Sequence, residues 1–139
     1  LDGKPCADHQ CDEEINHENK HCYKAACYAT SRLLVEALNL EDGTYSTCFQ
    51  SRLGRDPWLK PYTDHVVEKL GKEGKKRVLV FSPAFVADCL ETTIEIGEEY
   101  LELFQEHGGE ELQLVPSLND NDDWAEGLYE IIKEKVSKT

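Results

Sequence analysis

Apolar and polar positions fall into separate blocks along the chain, and each block has its own period. From Tyr23 to Leu40 the residues Tyr23, Ala26, Cys27, Thr30, Leu33, Leu34, Ala37 and Leu38 recur at steps of three and four, which describes one face of an amphipathic helix stopped by Asn39 to Gly43. Tyr45 to Phe49 is short and β-prone, Val78 to Phe81 is a continuous apolar run suited to a strand buried on both faces, and Leu112 to Pro116 predicts a third strand. Pro57 to Leu70 predicts a helix striped by Val66, Val67 and Leu70, and Ala87 to His107 a longer one closed by Gly108 and Gly109. Trp124, Leu128, Ile131, Ile132 and Val136 define a last helix over Trp124 to Val136. Helices and strands alternate throughout, so the expected class is α/β on a parallel sheet. Three strands make a thin sheet, and a further strand is expected upstream of Leu1.

Composition narrows the function. Twenty-eight acidic against fifteen basic side chains leave a net charge of −13 over 139 residues, which argues against nucleic acid as a partner. The hydrophobic fraction of 40% supports one modest core, and no uncharged apolar run is long enough for a transmembrane helix or a signal peptide. Methionine is absent, so the chain reads as processed or cut from a longer one. Residues 1–21 form a polar, cysteine-containing arm, and 22–139 the α/β domain.

Ligands of such sheets bind beyond the carboxyl ends of the strands. After the first predicted strand, Arg52, Gly54, Arg55 and Trp58 would offer a flat apolar surface beside cations, fit for an aromatic ligand carrying carboxylates. The plainer alternative is a loop whose Trp58 packs on the following helix. After the second, Glu91, Glu95 and Glu99 are four residues apart on a predicted helix, a line of carboxylates about 12 Å long. Like charges in a row cost stability unless they are solvated or bind cations, and hard oxygen donors suit a divalent metal in transit. A solvated acidic face is the alternative. Four early cysteines, Cys6-x4-Cys11-x10-Cys22-x4-Cys27, would suit zinc or an iron–sulfur cluster, or are loose reduced thiols in the arm. Cys48 and Cys89 lie in apolar segments, where a thiol behaves as a small hydrophobe.

The strings Phe49-Gln50-Ser51-Arg52-Leu53-Gly54-Arg55-Asp56-Pro57-Trp58-Leu59-Lys60-Pro61-Tyr62-Thr63-Asp64 and Phe85-Val86-Ala87-Asp88-Cys89-Leu90-Glu91-Thr92, followed by Ser117-Leu118-Asn119, resemble the C-terminal half of ferrochelatase from about Cys22 onward. The resemblance implies a chelatase-like, doubly wound parallel sheet, one of two domains around a porphyrin cleft. It implies insertion of ferrous iron into protoporphyrin IX, with Glu91 as the active-site glutamate. Glu95, Glu99 and Asp88 would pass metal or protons, and Trp58, Phe85, Arg52 and Arg55 would border the porphyrin. Cys89 stands where animal members carry a histidine, so a role for that histidine does not transfer. Some bacterial members hold a [2Fe–2S] cluster with all four ligands in an internal segment, which favours a cluster over zinc at Cys6, Cys11, Cys22 and Cys27.

The family's catalytic histidine lies in a Ser-x-His-Gly-type segment that this chain lacks, and none of His9, His17, His21, His65 and His107 sits in that motif. The expectation is one wall of a cleft, inactive without the N-terminal ferrochelatase domain, in the cytoplasm, with homodimer formation and peripheral membrane contact left open. Glu91, partly desolvated against Phe85 and beside Asp88 and Glu95, is expected to have a raised pKa. The alternatives are a non-catalytic metal-binding or redox-sensing module on the same fold, and a short homodimeric chelatase of the cobalt or sirohydrochlorin type.

Overall fold

The computed structural model describes residues 10–50 and 58–137. The chain divides into two compact units, Leu1–Thr63 and Asp64–Thr139. Cys6, Arg52 and Arg55, three of the expected site residues, lie outside the described residues.

In the first unit, helix α1 (Tyr23–Leu38) follows a wound segment, 10–22. Asn39 ends α1 in the left-handed region at φ 50°, and the last carbonyls, Val35 and Glu36, accept from the N–H groups that follow. Only Ala25 of α1 is buried, while Tyr23, Leu33 and Leu38 of the expected apolar face are more than 60% exposed. The expected strand Tyr45–Phe49 does not form. It is reduced to one parallel bridge, Phe49 to Tyr62, in which the Phe49 N–H donates to the Pro61 carbonyl at 2.9 Å and the Thr63 N–H to the Phe49 carbonyl at 3.0 Å. β propensity without a paired neighbour yields no more than this.

The second unit is a βαβ arrangement. Helix α2 (Thr63–Lys72) begins six residues later than the predicted start at Pro57, beyond Pro61. Strand β1 (Arg77–Val80) pairs in parallel with β2 (Glu111–Leu114), in register Arg77 to Glu111 through Val80 to Leu114. The crossover that parallel pairing requires is helical here, its usual form. It differs from the expected single α-helix: Glu91–Glu99 is a π-helix, and α3 (Tyr100–Glu106) continues it. Val67, Ile96, Tyr100, Phe104 and Leu112 form the buried core, with Leu70, Val78, Val80 and Leu114 packed against it. Among the described residues the sheet has two strands, one fewer than the pattern predicted.

Helix α4 (Asp122–Val136) is capped by Asn121, whose side chain accepts from the Trp124 N–H at 3.1 Å, and its charges run from Asp122 and Asp123 to Lys133 and Lys135, along the helix dipole. None of its residues is buried; Leu128, Ile131, Ile132 and Val136 are exposed and Trp124 is half-buried. Among the described residues no helix is long and apolar enough to cross a membrane.

Candidate active site

The chain leaves β1 at Val80, runs through a loop, and enters the π-helix at Glu91, so the carboxylate row starts beyond the carboxyl end of a parallel strand. Bonding from i to i+5 widens the helix to about 4.4 residues per turn, and residues four apart still share one side. Thr92, Ile96, Tyr100 and Phe104 take the buried row at that spacing. Glu91, Glu95 and Glu99, each one residue earlier, take the row beside it. Glu95 is half-buried and its Oε1 accepts from the Tyr100 hydroxyl at 2.6 Å; Glu91 and Glu99 are exposed.

The Glu91 carboxyl lies below its ordinary pKa, not above it as expected. The Cys89 side chain is the main cause, with the residue's own backbone N–H second, and both outweigh a small desolvation. The expectation assumed burial that an exposed first-turn residue does not have. The half-buried Cys89 thus directs its thiol toward Glu91.

Asp88 is more committed still. Its Oδ1 accepts from the Ser117 N–H at 3.0 Å, its Oδ2 accepts from Asn119 Nδ2 at 2.8 Å, and its own N–H donates to Asn119 Oδ1 at 2.9 Å. Asn119 and then Ser117 hold its carboxyl below the usual carboxylate range. Thr92, fully buried, accepts from the Cys89 N–H at 2.9 Å and places its hydroxyl 3.5 Å from Asp88 Oδ1. Hydrogen bonds thus join Asp88, Cys89, Glu91 and Thr92, four residues at the head of the π-helix. Phe85 is half-buried in the preceding loop, where its N–H donates to the Ser82 carbonyl at 3.0 Å. Tyr100 and Asn119 went unassigned from the sequence; Asn119 stood in the quoted Ser117-Leu118-Asn119 string, and nothing marked Tyr100.

In the first unit, Trp58 is 43% exposed, and its indole N–H donates to the Gln50 carbonyl at 2.8 Å. Cys11 is buried and its Sγ lies 3.9 Å from that of Cys22. Thiolates bound about 2.3 Å from a tetrahedral ion stand roughly 3.8 Å apart, so this pair fits two ligands of one metal. The Cys22 thiol is lowered, chiefly by the backbone of Ala25 at the open end of α1, where a thiolate is favoured. Buried Asn19 organises the segment: its Oδ1 accepts from the Asn16 N–H at 2.7 Å, its Nδ2 donates to the Glu14 carbonyl at 2.9 Å, and its carbonyl accepts from the Cys22 N–H at 2.8 Å. Arg32 Nη1 ties the Asp12 carbonyl to α1 at 2.7 Å. Cys27 is half-buried and engages the Tyr23 phenol, whose pKa it raises. Among the described residues no group of three or more His, Cys, Asp or Glu is arranged to hold a metal.

The ferrochelatase family model matches residues 7–136. The ferrochelatase of Bdellovibrio bacteriovorus is 50% identical over 123 residues, covering 88% of this chain and 37% of the relative. That of Pseudomonas fluorescens is 48% identical over 118 residues, covering 85% and 35%. The Legionella pneumophila ferrochelatase is 45% identical over 122 residues, covering 88% and 37%. The chain therefore spans little more than a third of the length of these relatives. With its motifs, its parallel βαβ unit and a family match over nearly its whole length, the chain belongs to the ferrochelatase family.

Proposed function

We propose that this chain supplies one wall of a protoheme ferro-lyase, which inserts ferrous iron into protoporphyrin IX, and that Glu91 takes up protons there. The observation that carries the reading is the row Glu91, Glu95, Glu99 on a π-helix that begins beyond the carboxyl end of β1. Insertion releases two protons from the pyrrole nitrogens for each Fe2+ that enters and sheds its water, so a base and a set of oxygen donors must meet at the macrocycle's edge. An exposed, ionised Glu91 offers the first. Glu95, steadied by Tyr100, and Glu99 offer the second as a path for iron or protons. Both oxygens of Asp88 accept hydrogen bonds, which makes it a poorer member of that path.

On this reading Trp58, Arg52, Arg55 and Phe85 border the porphyrin. The N-terminal ferrochelatase domain supplies the facing wall with its histidine, and the two-stranded parallel sheet is part of a doubly wound one. Cys6, Cys11, Cys22 and Cys27 hold a [2Fe–2S] cluster, for which the 3.9 Å Cys11–Cys22 separation is suitable. When bound, such a cluster would supply one-electron redox chemistry and a staple for the polar arm. On this reading the enzyme works in the cytoplasm, where thiols stay reduced.

The test is Glu91→Gln in the full-length enzyme, with turnover and porphyrin affinity measured separately. Turnover should fall by at least about a hundredfold with porphyrin binding nearly kept, as removal of a general base requires. Near-normal turnover refutes the assignment.

A further inference from the structure

Ser117-Leu118-Asn119 belongs to the sequence pattern, yet none of the roles above uses it. In the fold it ties the loop leaving β2 to the loop leaving β1. Asn119 Nδ2 donates to Asp88 Oδ2 at 2.8 Å and to the Ser117 carbonyl at 3.0 Å, and Asn119 Oδ1 accepts from the Asp88 N–H at 2.9 Å. The Asn119 N–H donates to the Val86 carbonyl at 2.9 Å, and the Ser117 N–H to Asp88 Oδ1 at 3.0 Å. Asn119 does this from φ 50°, in the left-handed region, which asparagine enters more readily than other residues with side chains. From Asp88 the connections continue into the helix: Thr92 Oγ1 accepts from the Cys89 N–H at 2.9 Å, and the Thr92 and Thr93 N–H groups donate to the Cys89 carbonyl at 3.1 and 2.9 Å. Glu91 lies inside this short closed span. A side chain whose acceptor and donor both engage one aspartate can define where the helix begins more tightly than a single contact would.

We propose that Asn119 is a positioning residue: through Asp88 it fixes the first turn of the π-helix and so the place of the Glu91 carboxylate, with Asp88 serving as the other half of this latch. Its consequence for turnover rests on the reading of Glu91 given above, whereas the latch itself does not.

The test uses the full-length enzyme and three variants: Asn119→Ala, Asn119→Asp, and the exchanged pair Asp88→Asn with Asn119→Asp. The single aspartate sets two carboxylates against each other, and the exchanged pair restores an amide facing a carboxylate. Hydrogen exchange over residues 86–93 reads the latch, and kcat with porphyrin KM reads its use. Both single variants should quicken exchange in that span by at least about tenfold. They should also lower kcat by at least about tenfold with porphyrin KM within about twofold, as a displaced catalytic group does. The exchanged pair should recover part of both losses, short of the parent because an aspartate at 119 cannot donate to the Ser117 carbonyl as the asparagine does. Unchanged exchange in Asn119→Ala, fast exchange with full kcat, or an exchanged pair no better than Asn119→Asp overturns the proposal. Near-normal kcat in Glu91→Gln would instead refute the catalytic reading and leave exchange to judge the latch.

Discussion

Gly109 stands between α3 and β2 without room for a methyl group. A Cβ there would lie 2.3, 2.4 and 2.5 Å from Cδ1, Cε1 and Cγ of Phe104. Carbon atoms in contact normally stay about 3.5 to 4 Å apart, so the ring would have to retreat by roughly 1 Å. Phe104 has no free side to retreat to: it is 0% exposed and belongs to the cluster with Val67, Ile96, Tyr100 and Leu112. Overpacking of this kind costs about 1 to 3 kcal/mol, a fall of roughly 4 to 12 °C in melting temperature for a domain of this size. The displacement would reach the sheet, because the Glu110 and Glu111 N–H groups both donate to the Lys76 carbonyl, at 2.9 and 3.0 Å, where the strand register begins. Gly109→Ala, Phe104→Ala and the double variant form a cycle measured by thermal and urea unfolding. Alanine at 104 removes Cγ, Cδ1 and Cε1, the three atoms that occupy the space the new methyl needs. The double variant should therefore be about as stable as Phe104→Ala alone, a coupling of at least about 1 kcal/mol. A Gly109→Ala protein that melts within about 1 °C of the parent, or two penalties that simply add, would show that the ring is not what excludes a side chain here.

Two further outcomes follow from the site. Asp88 has a folded pKa below its unfolded value, near about 3.9, so the latch adds stability above that pH and loses it as pH falls through the lower folded value. Melting temperature should thus drop more steeply below about pH 4 in the parent than in Asp88→Asn, and parallel pH profiles would contradict this. For the cysteines, anaerobic reconstitution with iron and sulfide should give visible absorption that Cys22→Ser abolishes and Cys48→Ser keeps, since burial raises the Cys48 thiol while Cys22 is the lowered one beside Cys11. A parent protein that takes up neither iron nor sulfide would end the cluster reading.

Periodicity located the helices and two of the strands, but the apolar faces of α1 and α4 stay largely exposed, and β1, expected to be buried on both faces, packs Val78 and Val80 on the core and leaves Leu79 66% exposed. It failed at Tyr45–Phe49, where β propensity is local but strand formation needs a partner, and Phe49 alone finds one in Tyr62. It also placed the start of α2 too early, at Pro57 instead of Thr63. The π-helix was not readable, because a step of four residues drifts about +40° in an α-helix and about −33° in a π-helix, so Glu91, Glu95 and Glu99 share a side in either. The latch was out of reach for another reason: Asp88 and Asn119 are 31 residues apart, and no local pattern records their contact.

The lowered pKa of Glu91 changes how the proposed reaction must work. A base already protonated at rest could not accept the porphyrin's protons, and a strongly stabilised carboxylate would be slow to keep them. Exposure and the Cys89 contact favour the ionised form while the site is open to water. A macrocycle laid over Glu91 removes that water, and desolvation then opposes the same contact and raises the proton affinity. Proton uptake is thereby tied to occupancy, with no need for a group that is buried beforehand. The argument requires Glu91 to keep its place as water leaves, since a carboxylate free to swing would follow the solvent. The bonds from the Cys89 N–H to Thr92, from the Thr92 hydroxyl to Asp88, and from Asn119 to Asp88 are the means this fold has for holding it there.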